Sequence, residues 1–408
     1  MRRPYLVYIL TVVFPSAVTI AAGTHLADTV WRDVRIHSEA RAARMSLLTL
    51  EHDLGATVST LTLEAAPAPV TDSSGALEAR ALAGDTANGL AVGRGGMEVR
   101  VALPPVPGDP PGTVRTAAAP LTTSAVQVGR TAGFGTALYL SGQRWLATTP
   151  PPGPEVLPES VLSAAARTPG GVSMGADGDG GTLVALGGGS PEADAAVAVL
   201  AQSSDPFTSP LPFPLLMVMG LLLLFAALAG WIQLTGGGGQ TTRSSLVLVS
   251  LVPALTAWGF LYHGGRLFHE ALDGAERRDL TRALAVARAR DLAADPSALH
   301  DLSGFHAYRV VDGAVTAASL QGPADGIARL PAPPPSFTST GRVRTSEGLV
   351  SYVALRIPGS GFTVVTSPGS SELGERYDRQ GTRLGLALAA WLLVVGLALT
   401  GRRRPVSA

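Results

Sequence analysis

The sequence predicts an α+β membrane protein in which four transmembrane helices alternate with two extracytoplasmic antiparallel α/β domains, each preceded by a long helix. Three observations support this fold class. Of the 408 residues, 46% are hydrophobic and only 15% are charged, whereas about 25% are charged in a typical soluble protein. Four apolar stretches are long enough to cross a bilayer as helices. Short strand-like runs separated by glycine and proline lie in both long segments between them.

The four apolar stretches define the predicted membrane helices. They span residues 1–23, 211–234, 246–262 and 384–401. Their amphipathic aromatic residues, typical of membrane helices, are Trp231, Trp258, Tyr262 and Trp391. Because two arginines precede the first apolar run, a cleaved signal peptide is an alternative for residues 1–23. The run is long for a signal peptide, and we therefore favour an uncleaved anchor.

Arginine placement predicts the orientation of these helices. Arginines flank the apolar stretches at residues 2–3, 243 and 402–404, and the positive-inside rule places these flanks in the cytoplasm. We therefore expect a multi-pass protein of the bacterial cytoplasmic (inner) membrane, N-in and C-in, with a cytoplasmic hairpin at 235–245 and a cytoplasmic tail at 402–408. These few residues leave no room for a cytoplasmic kinase, cyclase or DNA-binding domain.

The composition and the absence of certain motifs argue against several kinds of functional site. The chain has no cysteine, which excludes disulfides, thiolate metal sites and cysteine nucleophiles. Its formal net charge is zero, so it lacks the basic footprint of a nucleic-acid-binding protein. The histidines form no His-Glu-x-x-His motif, and no Gly-x-Ser-x-Gly elbow lies on a strand-to-helix turn. We therefore predict that the protein is not an enzyme and carries no metal and no other cofactor.

A long outer helix is predicted directly after the first and third membrane helices, at 24–65 and 263–294. The apolar stripe of the first, at spacings of three and four, is Leu47, Leu50, Leu54, Val58 and Leu61. The apolar stripe of the second outer helix contains Phe268, Leu272, Leu280 and Leu284. Asp279 and Arg282 form an i,i+3 pair on its solvent face. The Asp-Pro-Ser at 295–297 is predicted to end this helix, because the residue before proline avoids helix.

A repeated pattern follows each outer helix. Residues 133–149 read GFGTALYLSGQRWLATT and residues 304–320 read GFHAYRVVDGAVTAASL. Both begin Gly-Phe, carry a glycine nine positions after the first one and end on Ala followed by Ser or Thr. The Asp-Gly of VVDGAV predicts a hairpin, and GLVSYVALRI (348–357) and GFTVVTS (361–367) are further strands. Each half, 24–208 and 263–381, is thus predicted to be one copy of a duplicated unit.

The first copy carries an additional segment at 66–129 that is rich in proline, glycine and alanine. Within it, MEVRVAL and VRTAAAPL are candidate strands, and the remainder is expected to be largely loop.

This pattern resembles the Cache and PAS-like extracytoplasmic sensor domains of bacterial transmembrane receptors. The closest likeness is the hairpin RVVDGAVTAAS at 309–319; LYLSGQRWLAT at 138–148 is similar with Ser141 in place of the aspartate. The resemblance implies a long helix that leaves the membrane and packs on an antiparallel sheet. It also implies a sensor, although such receptors usually end in a kinase, cyclase or chemotaxis domain that this sequence lacks.

Polar residues on otherwise apolar strands are the candidate ligand-binding residues. They are Tyr308, Arg309, Tyr352 and Arg356 in the second half, and Tyr139, Arg144 and Trp145 in the first. The alternative is that they are rim residues whose stems lie along the sheet.

The predicted function is a non-catalytic membrane sensor or signal-input subunit that acts through a partner protein. Its expected partners are membrane lipid, a signalling or envelope protein and a small-molecule ligand in the outer domains, with no nucleic acid. A structural, assembly or accessory subunit of a cell-envelope or transport complex is the alternative.

Overall fold

The computed structural model describes residues 2–70, 75–93, 96–140, 143–158, 172–176, 182–188, 197–203, 210–235, 243–319, 324, 326–334, 338–346, 348–357, 361–367 and 370–401. Ser141 and Gly142 of the first repeat, most of the predicted cytoplasmic hairpin and the tail at 402–408 lie outside the described residues. Within these bounds the fold is α+β with antiparallel sheets, as the sequence predicts.

The α-helices of the described residues include two of exceptional length. They are α1 (Arg2–Tyr8), α2 (Phe14–Glu64), α3 (Ala76–Leu82), α4 (Ala125–Thr131), α5 (Phe213–Thr235), α6 (Arg243–Ala289), α7 (Pro296–Ser303) and α8 (Ser370–Gly401). A π-helical turn, Ile9–Val13, joins α1 to α2. Helices α2 and α6, with 51 and 47 residues, contain most of the two predicted outer helices.

Helix α6 ends at Ala289, earlier than the predicted end at Ala294. Asp291 adopts a left-handed conformation with φ of 57°, and Leu292 N–H donates to the carbonyl of Ala287 at 2.8 Å, which closes the helix as a Schellman-type cap. The Asp-Pro-Ser instead begins α7, where the Asp295 side chain accepts from the N–H of Ser297. The prediction was therefore wrong about which helix end this motif marks.

The strands form three antiparallel sheets. Sheet A, in the order β1-β4-β3-β2, contains β1 (Ala66–Pro69), β2 (Ala87–Gly93), β3 (Gly96–Leu103) and β4 (Thr113–Pro120). Sheet B, in the order β6-β5-β9-β8-β7, contains β5 (Phe134–Leu140), β6 (Gln143–Ala147), β7 (Val172–Ala176), β8 (Thr182–Gly188) and β9 (Val197–Ser203). Sheet C, in the order β11-β10-β14-β13-β12, contains β10 (His306–Val311), β11 (Ala314–Ala318), β12 (Thr338–Thr345), β13 (Gly348–Arg356) and β14 (Phe362–Thr366).

Sheets B and C repeat one arrangement. Numbered within each sheet, the strand order is second, first, fifth, fourth, third in both. In both, the first hairpin has its register irregularity at the same distance from the opening glycine, between Leu138 and Tyr139 in one and between Arg309 and Val310 in the other. The strand order and the register thus support the duplication expected from sequence.

The Ala-Ser/Thr that ends each repeat has a structural role. The Ser319 hydroxyl accepts from the N–H of Ala307 at 2.9 Å, and the Ser319 N–H donates back to the Ala307 carbonyl at 2.9 Å. The Thr148 hydroxyl and N–H make the same two contacts with Thr136, at 3.0 and 2.9 Å. At the open end of each hairpin, the side-chain hydroxyl thus accepts the backbone hydrogen bond that a carbonyl of the paired strand would otherwise accept. The equal spacing in sequence therefore reflects an equal hydrogen-bond pattern.

The chain divides into two compact units. The helical unit comprises Met1–Val34, Phe207–Arg277 and Ser367–Ala408, and the mixed unit comprises Arg35–Pro206 and Arg278–Thr366. Helices α2 and α6 each contribute to both units. The mixed unit contains all three sheets and therefore both predicted outer domains.

The helical unit has an apolar core and an apolar surface. Phe268 and Tyr377 stack with ring centroids 4.2 Å apart, within a cluster that also contains Leu26, Val30 and Phe260. Among the described residues, the helical stretches Tyr5–Glu64 and Phe213–Gln233 are long and apolar enough to cross a membrane. The predicted membrane segments 246–262 and 384–401 are helical, within α6 and α8.

The main core of the mixed unit lies between the two long helices and the three sheets. The predicted stripe residues Leu47, Leu50 and Leu61 of α2 are buried there, as are Leu280 and Leu284 of α6. Sheets B and C each turn one face toward this cluster. The face of sheet B presents Phe134, Leu138 and Leu140, and that of sheet C presents Ala307, Val353 and Val365.

The segment at 66–129 is more ordered than expected from sequence. The candidate strands MEVRVAL and VRTAAAPL lie in β3 and β4, and they pair with two further strands. Met97, Val99 and Val101 of β3 are buried in the main core, while Ala102 and the α3 residue Ala81 pack on the other side. The expectation of a mostly loop-like segment was therefore wrong.

Candidate functional site

The predicted tyrosines of the second half lie together on the outer face of sheet C. Tyr308 and Tyr352 are 2% and 8% exposed and pack in a cluster with Ile327, which comes from the 3₁₀ turn Ile327–Arg329. The Tyr352 ring covers Gly341 of the neighbouring strand, where an added Cβ would come within 3.0 Å of the ring. Both tyrosines thus contribute to a packed cluster on this face.

The two predicted arginines of sheet C lie on opposite faces of the sheet. Arg356, exposed at the end of β13, alternates with Tyr352 and so lies on the outer face. Arg309 pairs with Thr363 and lies on the opposite face, toward the main core. Its Nε atom is buried and has no hydrogen-bond partner among the described residues. The structure therefore brings Tyr308, Tyr352 and Arg356 to one face and excludes Arg309 from it.

In the first half, Tyr139 and Arg144 hold the proline-rich segment after β6. The Tyr139 hydroxyl donates to the Pro154 carbonyl at 2.7 Å, and Arg144 Nη1 donates to the Gly153 carbonyl at 3.3 Å. Burial raises the pKa of Tyr139, and the charge of Arg144 partly opposes this. Trp145 packs against the main core instead. These contacts fix a loop against sheet B.

An open groove of about 700 Å³ lies beside the outer face of sheet C. Its lining includes Arg329, Arg344, Thr345 and Gly326. Both arginines are exposed, and neither Tyr308 nor Tyr352 contributes to the lining. The groove is therefore a surface feature beside the predicted site and does not contain it.

A second cavity, of about 620 Å³, lies where the end of α6 meets α2 and α7. Its polar lining consists of Thr49, His52, Ser124, Arg290, Asp291 and Asp301. Its larger apolar lining residues are Leu48, Leu292 and Leu302. Residues from both halves of the chain contribute, and the volume is in the range of small-molecule sites. Sequence reasoning missed this cavity, because its walls come from four separate stretches of the chain.

Asp53 organises one wall of this cavity. Its Oδ2 accepts from the Ser124 N–H at 2.9 Å and from the hydroxyls of Thr123 and Ser124 at 3.2 Å each. Its Oδ1 pairs with Arg290 Nη2 at 3.4 Å. Asp53 thereby connects α2, the start of α4 and the end of α6, and it neutralises the arginine that lines the cavity.

A shared carboxylate links the two long helices. Asp279 accepts from the Ser38 hydroxyl at 2.7 Å and pairs with both Arg41 and Arg282 at 3.5 Å. The Asp279–Arg282 pair predicted from sequence is thus present, but Asp279 is only 13% exposed and α2 shares it. We call Ser38, Arg41, Asp279 and Arg282 the helix junction.

The helix junction is nearly symmetric in sequence and in contacts. Asp279 follows Ser38 by 241 residues, and Arg282 follows Arg41 by the same number. The Arg41 guanidinium lies 4.7 Å from the ring centre of Phe305, and that of Arg282 lies 5.0 Å from the ring centre of Phe134. Each arginine therefore stacks on the Gly-Phe phenylalanine of the other half. The constant spacing of 241 was the sequence signal that could have revealed this junction.

The structure also bears on two kinds of catalytic chemistry, a nucleophilic serine and a bound metal ion. Gly171-Val-Ser-Met-Gly175 matches Gly-x-Ser-x-Gly, but Val172–Ala176 form strand β7, so Ser173 lies inside a strand and not on a strand-to-helix turn. Among the residues that the structure describes, no group of three or more histidine, aspartate or glutamate side chains could hold a metal ion.

Comparison with known protein families, with curated proteins and with solved structures finds no match for this chain.

Proposed function

We propose that this protein is a non-catalytic membrane sensor or signal-input subunit with two Cache/PAS-like outer domains, sheets B and C with their helices. Four membrane helices, N-in and C-in, would hold it in a bacterial cytoplasmic membrane. The observation that carries the proposal is the helix junction, where two long helices share one carboxylate and each contacts the sheet of the other half. A partner protein receives the signal.

The surface of the helical unit supports the four-span arrangement. Besides the two stretches that are long and apolar enough to cross a membrane, the first part of α6 and the later part of α8 expose large apolar side chains. These include Leu251, Leu255 and Trp258 in α6 and Leu386, Trp391 and Leu393 in α8. An exposed apolar surface of this extent favours lipid as its surroundings.

The helix junction supplies a route from the sheets to the membrane helices. Asp279 and Arg282 both lie on α6, so a shift of α2 along α6 changes the contacts of Ser38 and Arg41 with the Asp279 carboxylate and leaves the Asp279–Arg282 pair in place. Because Arg41 and Arg282 also stack on phenylalanines at the start of the sheets, a rearrangement of either sheet changes the contacts at the helix junction. A ligand drives the shift only if it binds the two arrangements with different affinities.

Distance measurement between spin labels tests this coupling without a known ligand. The chain has no cysteine, so His25→Cys and Arg266→Cys, at exposed positions of α2 and α6, give one defined label pair in nanodiscs. Asp279→Asn removes the shared charge, and we expect the distance to shift by about 1–2 Å or to broaden, as for helix shifts at interfaces.

Asp312→Asn is the matched control, since it removes one exposed carboxylate in the β10–β11 turn and asparagine tolerates its left-handed backbone. The control should leave the distance unchanged. An unchanged distance in Asp279→Asn as well would contradict the coupling and favour a structural or assembly subunit.

A further inference from the structure

We propose that the cavity between α2, α7 and the end of α6 binds a small organic cation with a primary ammonium group and an apolar body. The sensing role of such binding rests on the proposed function, whereas the binding itself does not. The argument starts from the 620 Å³ cavity, whose walls come from both halves of the mixed unit.

The charges around the cavity favour a cation. Asp291 and Asp301 line it and are exposed to it, and neither carboxylate has a partner among the described residues. Among the described residues of the lining, Arg290 is the only arginine or lysine, and Asp53 already pairs with its Nη2 at 3.4 Å. The carbonyl end of α6 also lies here, and a helix C-terminus attracts positive charge. A carboxylate or phosphate ligand would meet net negative charge.

The lining also distinguishes among cations. Quaternary ammonium groups are recognised by aromatic cages, and no phenylalanine, tyrosine or tryptophan is among the described residues that line this cavity. A primary ammonium group instead donates three hydrogen bonds, which suits carboxylates and the Thr49 and Ser124 hydroxyls. Leu48, Leu292 and Leu302 offer an apolar wall for the rest of the molecule. The volume accommodates the apolar body as well as the ammonium group.

Two features hold the carboxylates in place before a ligand arrives. Asp291 is fixed in its left-handed conformation by the cap at the end of α6. Asp301 is carried by α7, whose start is fixed by Asp295 and whose end is closed by the Gly304 N–H donating to His300. Preorganised acceptors reduce the entropy lost on binding. Because Leu48, Thr49 and His52 of α2 form the facing wall, a bound cation would connect the end of α6 with this part of α2.

Calorimetric titration of the full chain in nanodiscs tests the proposal, with empty nanodiscs as the blank for lipid partitioning. The probe is n-butylammonium, and we expect saturable binding with a Kd of about 10 µM to 1 mM. The comparison compounds are 1-butanol, which is neutral, butyrate, which is anionic, and tetramethylammonium, which has no N–H. We expect none of the three to bind measurably.

Variants assign the binding to this cavity. Asp291→Asn preserves the left-handed backbone and Asp301→Asn changes an exposed helix position, and each should weaken butylammonium binding about tenfold or more. Asp85→Asn, an exposed carboxylate outside the lining, should bind as tightly as the unmodified chain.

Three results would overturn the proposal: no saturable binding of butylammonium, equal binding of butyrate or tetramethylammonium, or undiminished binding by both cavity variants. Binding lost in both variants, with the α2–α6 label distance unaffected by Asp279→Asn, would uphold the cavity while refuting the proposed sensor function.

Discussion

The hydroxyl that closes each repeated hairpin can be tested by removing it. In Ser319→Ala, the N–H of Ala307 loses its acceptor at 2.9 Å. Ala307 is fully buried, so its N–H would be left without a partner, which costs about 1–3 kcal/mol. Ser319 itself is half-buried at the edge strand β11, so water replaces part of the bond and we expect about 1–2 kcal/mol.

Hydrogen exchange of the 304–319 segment measures this effect where it arises. A loss of about 1–2 kcal/mol speeds the exchange of the Ala307 amide about 5–30-fold when exchange reports local opening. Ser319→Thr is the matched control, because Thr148 makes the same pair of contacts in the first copy, and it should exchange like the unmodified chain. The reasoning is refuted if Ser319→Ala exchanges no faster, or if Ser319→Thr is as fast as Ser319→Ala.

Three further substitutions probe the mixed unit. Gly129→Ala in α4 would drive a Cβ into the Thr136 side chain, and we expect a loss of about 1–3 kcal/mol; Gly55→Ala in α2, where a Cβ meets nothing within 4 Å, should instead stabilise by up to about 1 kcal/mol. Thermal unfolding of these two glycine variants tests this expectation. Equal changes in stability would contradict the close packing of Gly129 against Thr136. Burial raises the pKa of Tyr139, so its contribution is complete below the unfolded value of about 10 and is lost as pH rises through the folded value. Tyr139→Phe should therefore lose less stability than the unmodified chain above pH 10 in denaturant titrations, and parallel profiles would count against the assigned burial.

The repeated Gly-Phe segments were the most informative part of the sequence. They predicted the β10–β11 hairpin, which forms with Asp312 and Gly313 in its turn, both at positive φ. The reason is local: turn residues and strand periodicity are encoded within about a dozen residues. The same holds for the apolar stripes of α2 and α6, because helical periodicity is also a short-range signal.

Sheet A was harder to predict because its outer strands contain a single β-branched residue, Val92. Strand β1 reads APAP and β2 reads ANGLAVG, and both sequences are typical of loops. They form strands because β3 and β4 offer them a ladder to pair with. Tertiary pairing therefore decided their conformation.

The candidate sites could be predicted only in part for a related reason. The alternation of β13 correctly separates Tyr352 from Val353, but it does not show that Ile327 covers the tyrosine. The ligand-binding assignment of the seven residues remains a prediction. The cavity and the helix junction depend on residues as far apart as Ser38 and Asp279, and only three-dimensional packing brings them together.

Single-cysteine labelling tests most directly whether the sheets of the mixed unit form outer domains held by membrane helices. Three variants each carry one thiol. Asp85→Cys places it at an exposed position near sheet A, Ala314→Cys at an exposed position in sheet C, and Ser407→Cys in the predicted tail. With a membrane-impermeant maleimide on intact spheroplasts, we predict labelling at 85 and 314 and none at 407 until the membrane is permeabilised. Labelling at 407 in intact spheroplasts, or protection of either 85 or 314, would contradict the account.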